Sequence, residues 1–458
     1  MTKKNILFLT INFPPNPSVG TKRVAKILKY IDHSKFNFSV LTLKEEYYNQ
    51  ELGQLMGNQD KIPSTVKVFR THKSDLTHIF TYLKKGIGLI FKRNKASAKS
   101  NKSTENKKLN KSSKLTNPGW KDQIINSLRS FFFAFFEFPD KYIGWLPHAL
   151  AEGVRIIRHE KIDIILTTAP PHSAFIIAML LKKLMHKKLV LDFRDPWTIS
   201  RWDKGNIFRY WAERTVEKIC VKSADHLFFV TPKMRDEYLK LYKDLPAEKF
   251  NLFFNGFDPD DFIVDQEAQQ PEKKHLAFRF VHLGTLYKRR NPEPLVIAIK
   301  NLAQKDLIAP RQVVFEFIGS VVTELKFIYQ KVKELQVEDY VVFKPPVSFN
   351  ESIATMFQAD ALLLIQPDTD LQIPAKLFEY IYTGKPILAI AEENSATHQV
   401  LAEGNLGILA PSKNIDAIEQ AVLNILNGQF KFKPAPDYVD QFNYQKYAKK
   451  FEKVLYEL

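Results

Sequence analysis

Two charged residues lie three positions apart in the stretch IPAKLFEYIYTGKPILAI at residues 373–390. Pro374 and Gly384 are typical of a helix start and a helix end, so Lys376 and Glu379 share one helix face. A lysine in a first turn opposes the helix dipole, but the same position suits an anion such as phosphate. Glu379, one turn on, can accept hydrogen bonds from hydroxyl groups. The spacing therefore suits a nucleotide, with its diphosphate beside a ribose diol, and a solvated ion pair is the alternative.

A second basic loop follows another apolar run. Residues 278–283 predict a buried strand, and the next residues, GTLYKRRNPEP, contain Gly284, Lys288, Arg289 and Arg290. Glycine permits close approach of the backbone to a ligand, and a guanidinium group can bind phosphate oxygens with two hydrogen bonds. The loop is thus a second candidate for a diphosphate site. A solvated run of charges is the alternative.

The N-terminal loop INFPPNPSVGT follows a predicted strand at 5–10 and precedes a predicted helix at 21–31. Gly20 in this loop would let the backbone approach a substrate. Arg23 is expected nearby. A plain connecting loop is the alternative interpretation.

Three more candidates follow predicted strands. His172 comes after the strand at 161–168, and Arg194 and Asp195 stand in DFRDPW, where the strand at 189–192 meets a loop. Ligands of α/β proteins bind at the carboxyl ends of strands, so these side chains are candidates for acceptor and catalytic groups. A helix cap or structural hydrogen bond is the alternative for His172. A structural ion pair is the alternative for Arg194 and Asp195.

All of these residues need the same kind of scaffold. Strand, loop and helix follow one another in the first half, and the pattern restarts at the strand near 278, which predicts two doubly wound α/β domains. We place an N-terminal domain at 1–262, a polar linker at 263–276, a C-terminal domain at 277–437 and a final helix at 438–458.

Composition sets the outer bounds. The chain has 458 residues, enough for two or three domains, and its hydrophobic fraction of 45% is ordinary for a globular protein. The single cysteine, Cys220, excludes an internal disulfide, fits a reducing compartment and is expected in the core. The apolar run near the N-terminus is interrupted by Thr10 and Asn12, which favours a first strand over a signal peptide. No run reaches the roughly 20 apolar residues of a spanning helix.

The formal net charge of +17 indicates an anionic partner. Much of it comes from residues 84–121, rich in Lys, Ser and Asn, and we expect 92–121 to be a disordered insertion. Residues 124–138, IINSLRSFFFAFFEF, predict a largely aromatic helix too short to span a bilayer. Together 84–138 suit an anchor on an anionic membrane surface, and a helix packed on the domain is the alternative. Nucleic acid is disfavoured, because the basic tract lacks interleaved aromatic residues.

The motif P-x-K-L-F-E-Y followed by T-G-K-P-I-L-A resembles the donor-binding motif of GT-B glycosyltransferases. It is most similar to that of the retaining family-four (group 1) enzymes that build bacterial surface polysaccharides. The resemblance implies that Lys376 meets the diphosphate and Glu379 holds the ribose. Many relatives carry a second glutamate eight residues earlier, where this chain has Leu371, which leaves contacts to the transferred sugar open.

Other stretches resemble the same family. G-T-L-Y-x-x-R-N-P is similar to its donor-diphosphate loop, which singles out Gly284 and Arg290, and F-P-P…G-x-x-R is similar to its first loop, which implies Gly20. DFRDPW matches the polysaccharide enzymes where they place acceptor and catalytic groups, which implies Arg194 and Asp195. In such proteins the C-terminal helix crosses back to the first domain.

The resemblance implies a GT-B fold, with two Rossmann-like domains facing each other across a cleft. It implies transfer of a sugar, with retention, from a nucleotide-sugar to a saccharide or lipid-linked acceptor in cell-surface polysaccharide synthesis. No cofactor and no metal are expected, although Asp368-Thr369-Asp370 matches the D-x-D sequence pattern of a metal-binding motif. The expected location is cytoplasmic, on the inner face of the cell membrane if 84–138 binds lipid. A nucleotide-sugar epimerase of the same architecture and a non-catalytic membrane-associated scaffold remain the alternatives.

Overall fold

The computed structural model describes residues 3–16, 18–48, 61–75, 137–199, 207–263 and 277–458. The predicted insertion at 92–121 and nearly all of 84–138 lie outside these residues. The predicted linker at 263–276 also lies outside them, apart from Ile263. Across the part of the chain that is described, no helix combines the length and apolar character needed to cross a bilayer.

The described residues of the first domain form a seven-stranded parallel sheet in the order β3-β2-β1-β4-β5-β6-β7. Its strands are β1 (Lys4–Leu9), β2 (Phe36–Leu43), β3 (Lys67–Thr71), β4 (Ile164–Ala169), β5 (Lys188–Phe193), β6 (His226–Phe229) and β7 (Phe250–Leu252). Its helices are α1 (Val19–Tyr30), α2 (Leu146–His159), α3 (Ser173–Met185), α4 (Ile207–Ser223) and α5 (Pro232–Leu241).

The described residues of the second domain form a six-stranded parallel sheet in the order β10-β9-β8-β11-β12-β13. Its strands are β8 (Phe278–Leu283), β9 (Val313–Ile318), β10 (Val341–Lys344), β11 (Ala361–Gln366), β12 (Ile387–Ala391) and β13 (Gly407–Pro411). Its helices are α6 (Glu293–Gln304), α7 (Phe327–Glu334), α8 (Phe349–Gln358), α9 (Ala375–Thr383), α10 (Ala396–Gly404), α11 (Ile415–Leu426) and α12 (Pro436–Asp440).

Two doubly wound α/β domains, the predicted fold class, are confirmed by these sheets. The central strands are continuous apolar runs because helices cover both faces of a parallel sheet; Ile6, Leu7, Phe8 and Leu9 are all 0% exposed. The strand order reverses between β1 and β4 in the first sheet and between β8 and β11 in the second. A crevice opens at the carboxyl ends of the strands at such a reversal, and both halves of the candidate site lie there.

The final helix of the described chain, α13 (Tyr444–Glu457), packs on the first domain beside α1. The ring of Phe451 lies 4.7 Å from that of Phe228 and 4.8 Å from that of Phe253. The hydroxyl of Tyr447 donates to the carbonyl of Leu252 at 2.9 Å. The core of the first domain therefore includes side chains from the far end of the chain.

A buried charge cluster holds α1 against the segment that leaves the first domain. Asp258 accepts from the backbone N–H of Asp260 at 2.9 Å and so caps the short helical turn at Pro259–Phe262. Its carboxylate also accepts from Lys26 Nζ at 2.6 Å and Lys29 Nζ at 2.8 Å. Burial raises the pKa of Asp258, but the two lysines and Tyr30 outweigh it, and the pKa lies below its usual value.

Candidate active site

Three residues of the second domain meet at the carboxyl end of β8. Gly284 has a φ of 141°, a conformation that side chains rarely adopt. A β-carbon at this position would lie 3.5 Å from Arg290 Nη1 and 3.6 Å from Lys376 Cε. Within the described residues, no carboxylate lies within ion-pair distance of Arg290. A backbone without a side chain next to two cations, one of them unpaired, is a suitable surface for a diphosphate.

The first turn of α9 carries the charged pair found in the sequence. Pro374 is the residue before the helix rather than its first residue, and Gly384 ends it in the left-handed conformation. Lys376 Nζ lies 3.6 Å from one carboxylate oxygen of Glu379. Lys22 Nζ, from α1 of the first domain, lies 3.5 Å from the other. The carboxylate thus faces the cleft between the domains.

Glu379 is charged in this arrangement. Burial raises the pKa of its carboxyl, but Lys376 and then Lys22 outweigh that effect, so the pKa lies below its usual value. A charged carboxylate accepts hydrogen bonds from two neighbouring hydroxyls and donates none. The ribose-binding role of Glu379 stays a prediction, and in the structure Lys22 Nζ lies 3.5 Å from one of the carboxylate oxygens.

On the opposite side of the cleft, Gly20 lies directly against the side chain of Arg194. A β-carbon on Gly20 would be 1.9 Å from Arg194 Nη1 and 2.5 Å from its Cζ. The guanidinium donates to the carbonyl of Pro170, and burial lowers the pKa of Arg194. Gly20 was expected to admit a substrate to the backbone; in the structure the space above it holds Arg194.

His172 lies at the start of α3, after β4. Its ring stacks on Trp197 with centroids 4.4 Å apart and an interplanar angle of 13°. Burial lowers the pKa of His172 to about 3, and the charge of Arg194 acts in the same direction. Nε2 is inaccessible to solvent and has no hydrogen-bond partner in the described part of the protein. His172 is therefore a neutral imidazole and does not cap α3, because Asp140 accepts from the N–H of Ser173 instead.

Asp195 connects the two domains. Burial raises the pKa of its carboxyl, while Arg194 and then Gln372 act in the opposite direction. Gln372 Nε2, from the loop after β11, donates to Asp195 Oδ1. Beside it, the carbonyl of Leu371 accepts from Thr231 Oγ1 at 2.7 Å, and the Leu371 side chain packs in the core of the first domain. Leu371, at the position of the relatives' second glutamate, thus serves as an apolar contact between the domains.

Arg23 was expected near the substrate, but in the structure it is buried inside the protein. Its side chain is 1% exposed, and its Nε and Nη2 bind the two oxygens of Asp192 at 2.9 and 2.7 Å. The remaining N–H groups donate to the carbonyls of Phe253 and Phe254 and to Asn255 Oδ1. With its donors occupied inside the protein, Arg23 has a structural role, and so does Asp192.

Three residues at the site were missed from the sequence: Lys22, Trp197 and Gln372. Lys22 is one of two adjacent basic residues after Gly20. The neighbouring sequence does not indicate which of the two, Lys22 or Arg23, faces the cleft and which is buried. Trp197 could have been found, because it is the last residue of DFRDPW. An aromatic ring just after a strand end can stack on a neighbouring ring. The described residues contain no group of three His, Cys, Asp or Glu side chains arranged to hold a metal ion.

Comparisons with known proteins match both halves of the chain. The model described as Glycosyltransferase Family 4 matches residues 120–261, and the model described as Glycosyl transferases group 1 matches residues 264–450. The O-antigen chain mannosyltransferase RfbU of Salmonella typhimurium is 25% identical over 230 residues, which is 50% of this chain and 57% of that protein. The chain thus spans little more than half the length of this relative.

Solved structures of the same architecture cover almost the whole chain. Sucrose-phosphate synthase from Thermosynechococcus elongatus matches with a TM-score of 0.64 and 12% identity over 99% of both chains. Anabaena HepE in complex with UDP-glucose matches with a TM-score of 0.61 and 14% identity over 99% of this chain and 100% of its own. At these identities the likeness concerns the fold.

Proposed function

This chain belongs to the GT-B glycosyltransferases of the family 4 and group 1 type, and from that premise we propose that it transfers a sugar from a nucleotide-sugar donor to a saccharide or lipid-linked acceptor. The observation that carries this proposal is the convergence of Gly284, Arg290 and Lys376 at the carboxyl end of β8, with Glu379 one helical turn away. The neighbour crystallised with UDP-glucose has the same fold, which supports a nucleotide-sugar as the donor.

In this proposal each half of the site has a task. Arg290 and Lys376 bind the diphosphate and stabilise the charge that develops on it as the sugar leaves. Glu379 accepts hydrogen bonds from the ribose hydroxyls. His172, Arg194 and the loop at Asp195 form the acceptor side, where the buried imidazole is neutral and adds no charge. We further propose retention at the anomeric carbon, which NMR of the product's anomeric proton would test.

The first experiment is a thermal-shift screen with UDP, GDP, dTDP, ADP and CMP. A ligand at 100 times its dissociation constant adds about 2.7 kcal/mol to the free energy of unfolding, which is a shift of several degrees. We expect one nucleoside diphosphate to stabilise the protein and Glu379→Ala to reduce the effect. Glu338→Ala is the matched control, because Glu338 is an exposed carboxylate of the same domain. If none of the five nucleotides stabilises the protein, the assignment of the donor site is wrong, and the non-catalytic scaffold is the better interpretation.

Acceptor dependence separates transfer from epimerisation. A transferase releases the nucleoside diphosphate in proportion to the acceptor supplied, whereas an epimerase converts its nucleotide-sugar with no acceptor present. We expect acceptor-dependent release, measured with a coupled nucleotide assay and lipid-linked saccharide extracts. Acceptor-free conversion of the sugar would instead establish the epimerase.

We also propose that the protein works at the inner face of the cell membrane, on anionic lipid. Beyond the basic tract at 84–121, support comes from the first turns of α4, where Ile207 is 60%, Phe208 83% and Trp211 61% exposed. Aromatic side chains of this kind favour the interfacial region of a bilayer. Arg209, in the same turn, donates to the carbonyl of Pro139, so this apolar turn adjoins the end of the 84–138 segment.

Vesicle co-sedimentation tests the membrane proposal. We expect binding to vesicles with phosphatidylglycerol, weaker binding to phosphatidylcholine alone, and loss in the double variant Phe208→Ser, Trp211→Ser. The control is Leu184→Ser, since Leu184 is 59% exposed at the end of α3. Equal sedimentation of the double variant and the control would refute the role of this turn.

A further inference from the structure

A histidine lies in the crevice where the second sheet reverses its strand order. Strands β8 and β11 pair only through Ala361 with Phe280 and Leu362 with Val281. Just beyond the last pair, the ring of His282 enters the gap, and its Nδ1 lies 3.1 Å from the carbonyl of Leu363. A carbonyl can only accept a hydrogen bond, so Nδ1 carries the ring proton and Nε2 of the neutral ring presents a lone pair.

The other ring nitrogen points to the cations of the proposed diphosphate site. Nε2 lies 3.9 Å from where a β-carbon of Gly284 would stand, the same point that Arg290 Nη1 and Lys376 Cε approach to 3.5 and 3.6 Å. His282 is 3% exposed, and Nε2 has no hydrogen-bond partner within the described residues. A buried polar atom without a partner destabilises a fold and calls for a functional explanation.

The surroundings of the ring keep it neutral as long as no anion is bound. Burial lowers the pKa of His282 to about 3; the hydrogen bond to Leu363 opposes this, and the charges of Arg290 and Lys376 reinforce it. The ring of Phe317, on β9, lies 6.1 Å from the ring of His282, and the hydroxyl of Tyr380 accepts a hydrogen bond from the N–H of Leu283. Among the described residues, these elements bring no acidic side chain to the ring.

We propose that His282 is a further donor-binding residue, whose Nε2 takes up a proton from solvent as the diphosphate binds and donates a hydrogen bond to a phosphate oxygen. The neutral ring cannot do this, because its lone pair would face an anionic oxygen. The diphosphate offsets the charges of Arg290 and Lys376 and favours the imidazolium. The proton returns to solvent when the diphosphate leaves. The inference rests on the proposed function, since it requires the diphosphate at Gly284.

The test is titration calorimetry with UDP-glucose, GDP-mannose, dTDP-glucose and ADP-glucose, whose diphosphate diesters do not titrate near neutral pH. Measurement in two buffers of different ionisation enthalpy counts the protons taken up per donor bound. Since burial holds the pKa of His282 at about 3 in the free protein and donor binding raises it, we expect tighter donor binding at pH 6 than at pH 8, by at most about tenfold per pH unit. The sign follows because binding raises the pKa, so the lower pH favours the complex.

His282→Gln keeps an N–H donor without a titrating group, so we expect no proton uptake and an affinity that is the same at both pH values. His398→Gln is the matched control; His398 lies on α10 and accepts from the N–H of Asn394, and its loss leaves the uptake intact. If a donor binds wild-type protein without proton uptake, or if His282→Gln takes up as many protons as wild type, the inference about His282 is wrong. The proposed function then still stands. If no donor binds, the proposed function falls as well.

Discussion

Replacing Gly20 with alanine tests whether the position of Arg194 matters for turnover. The new β-carbon would lie 1.9 Å from Arg194 Nη1, where ordinary contact is 3.4–4 Å. The guanidinium must therefore move by about 1.5 Å, because Gly20 lies in the first turn of α1 and its backbone is fixed by the helix. The donated hydrogen bond to Pro170 is lost when the group moves.

Two magnitudes follow. Alanine is favoured over glycine in a helix by about 1 kcal/mol, and overpacking costs about 1–3 kcal/mol, so the net loss of stability is about 0–2 kcal/mol. Displacement of a positioning group by about 1 Å can lower turnover about 100-fold. We therefore expect Gly20→Ala to lower kcat about 100-fold while the protein stays folded at 25 °C.

The assay is initial-rate glycosyl transfer with the donor found in the nucleotide screen, alongside urea denaturation. Gly153→Ala is the matched control, because its β-carbon would lie 2.7 Å from Leu181 Cδ1 in the core of the first domain. It should lose a similar amount of stability and keep its kcat. In an Arg194→Ala background, Gly20→Ala has no guanidinium to displace and should cause no further loss. Full turnover in Gly20→Ala, or an equal fall in Gly153→Ala, would refute the reasoning.

Three shorter predictions concern charges. Arg23→Met should lower the free energy of unfolding in urea by about 3–5 kcal/mol, since it leaves Asp192 buried without its partner; a loss below about 1 kcal/mol would contradict this. Lys22→Met should raise donor affinity in calorimetry about two- to fivefold, because ribose no longer competes with that lysine for Glu379, and weaker binding would show that Lys22 contacts the donor. The lowered pKa of Asp258 means that its stabilisation is present above the usual pKa of about 4 and is lost as the pH falls through and below it. Wild-type protein should therefore lose stability more steeply on acidification than Asp258→Asn, and parallel urea midpoints would refute this.

The fold was predictable because its signals are local. Apolar runs followed by glycine or proline loops marked β1, β8 and the segment from α9 to β12, and the restart of the pattern implied two domains. The four strands that were missed, β3, β7, β10 and β13, are the edge strands of the two sheets. β3 is an edge strand without a buried residue, and β7 has three residues. An exposed edge strand lacks the apolar run that identifies a central one.

The candidate site was predictable only in part. Gly284, Arg290 and Lys376 could be assigned to one diphosphate site because the two motifs that carry them resemble donor-binding segments of the same family. Nothing in the sequence separates Lys22, which faces the cleft, from Arg23, which is buried. That difference depends on which side of α1 packs against Asp192, a residue 169 positions away.

The packing of α13 on the first domain has a consequence for synthesis of the protein. Phe228 and Phe253 are covered by Phe451, so their surface has no native cover until the ribosome has added about 200 more residues. At roughly 5–20 residues per second, this interval lasts roughly 10–40 s. During it the nascent first domain exposes aromatic surface that a chaperone can bind, and a stop codon shortly before α13 would release both sheets with that surface uncovered.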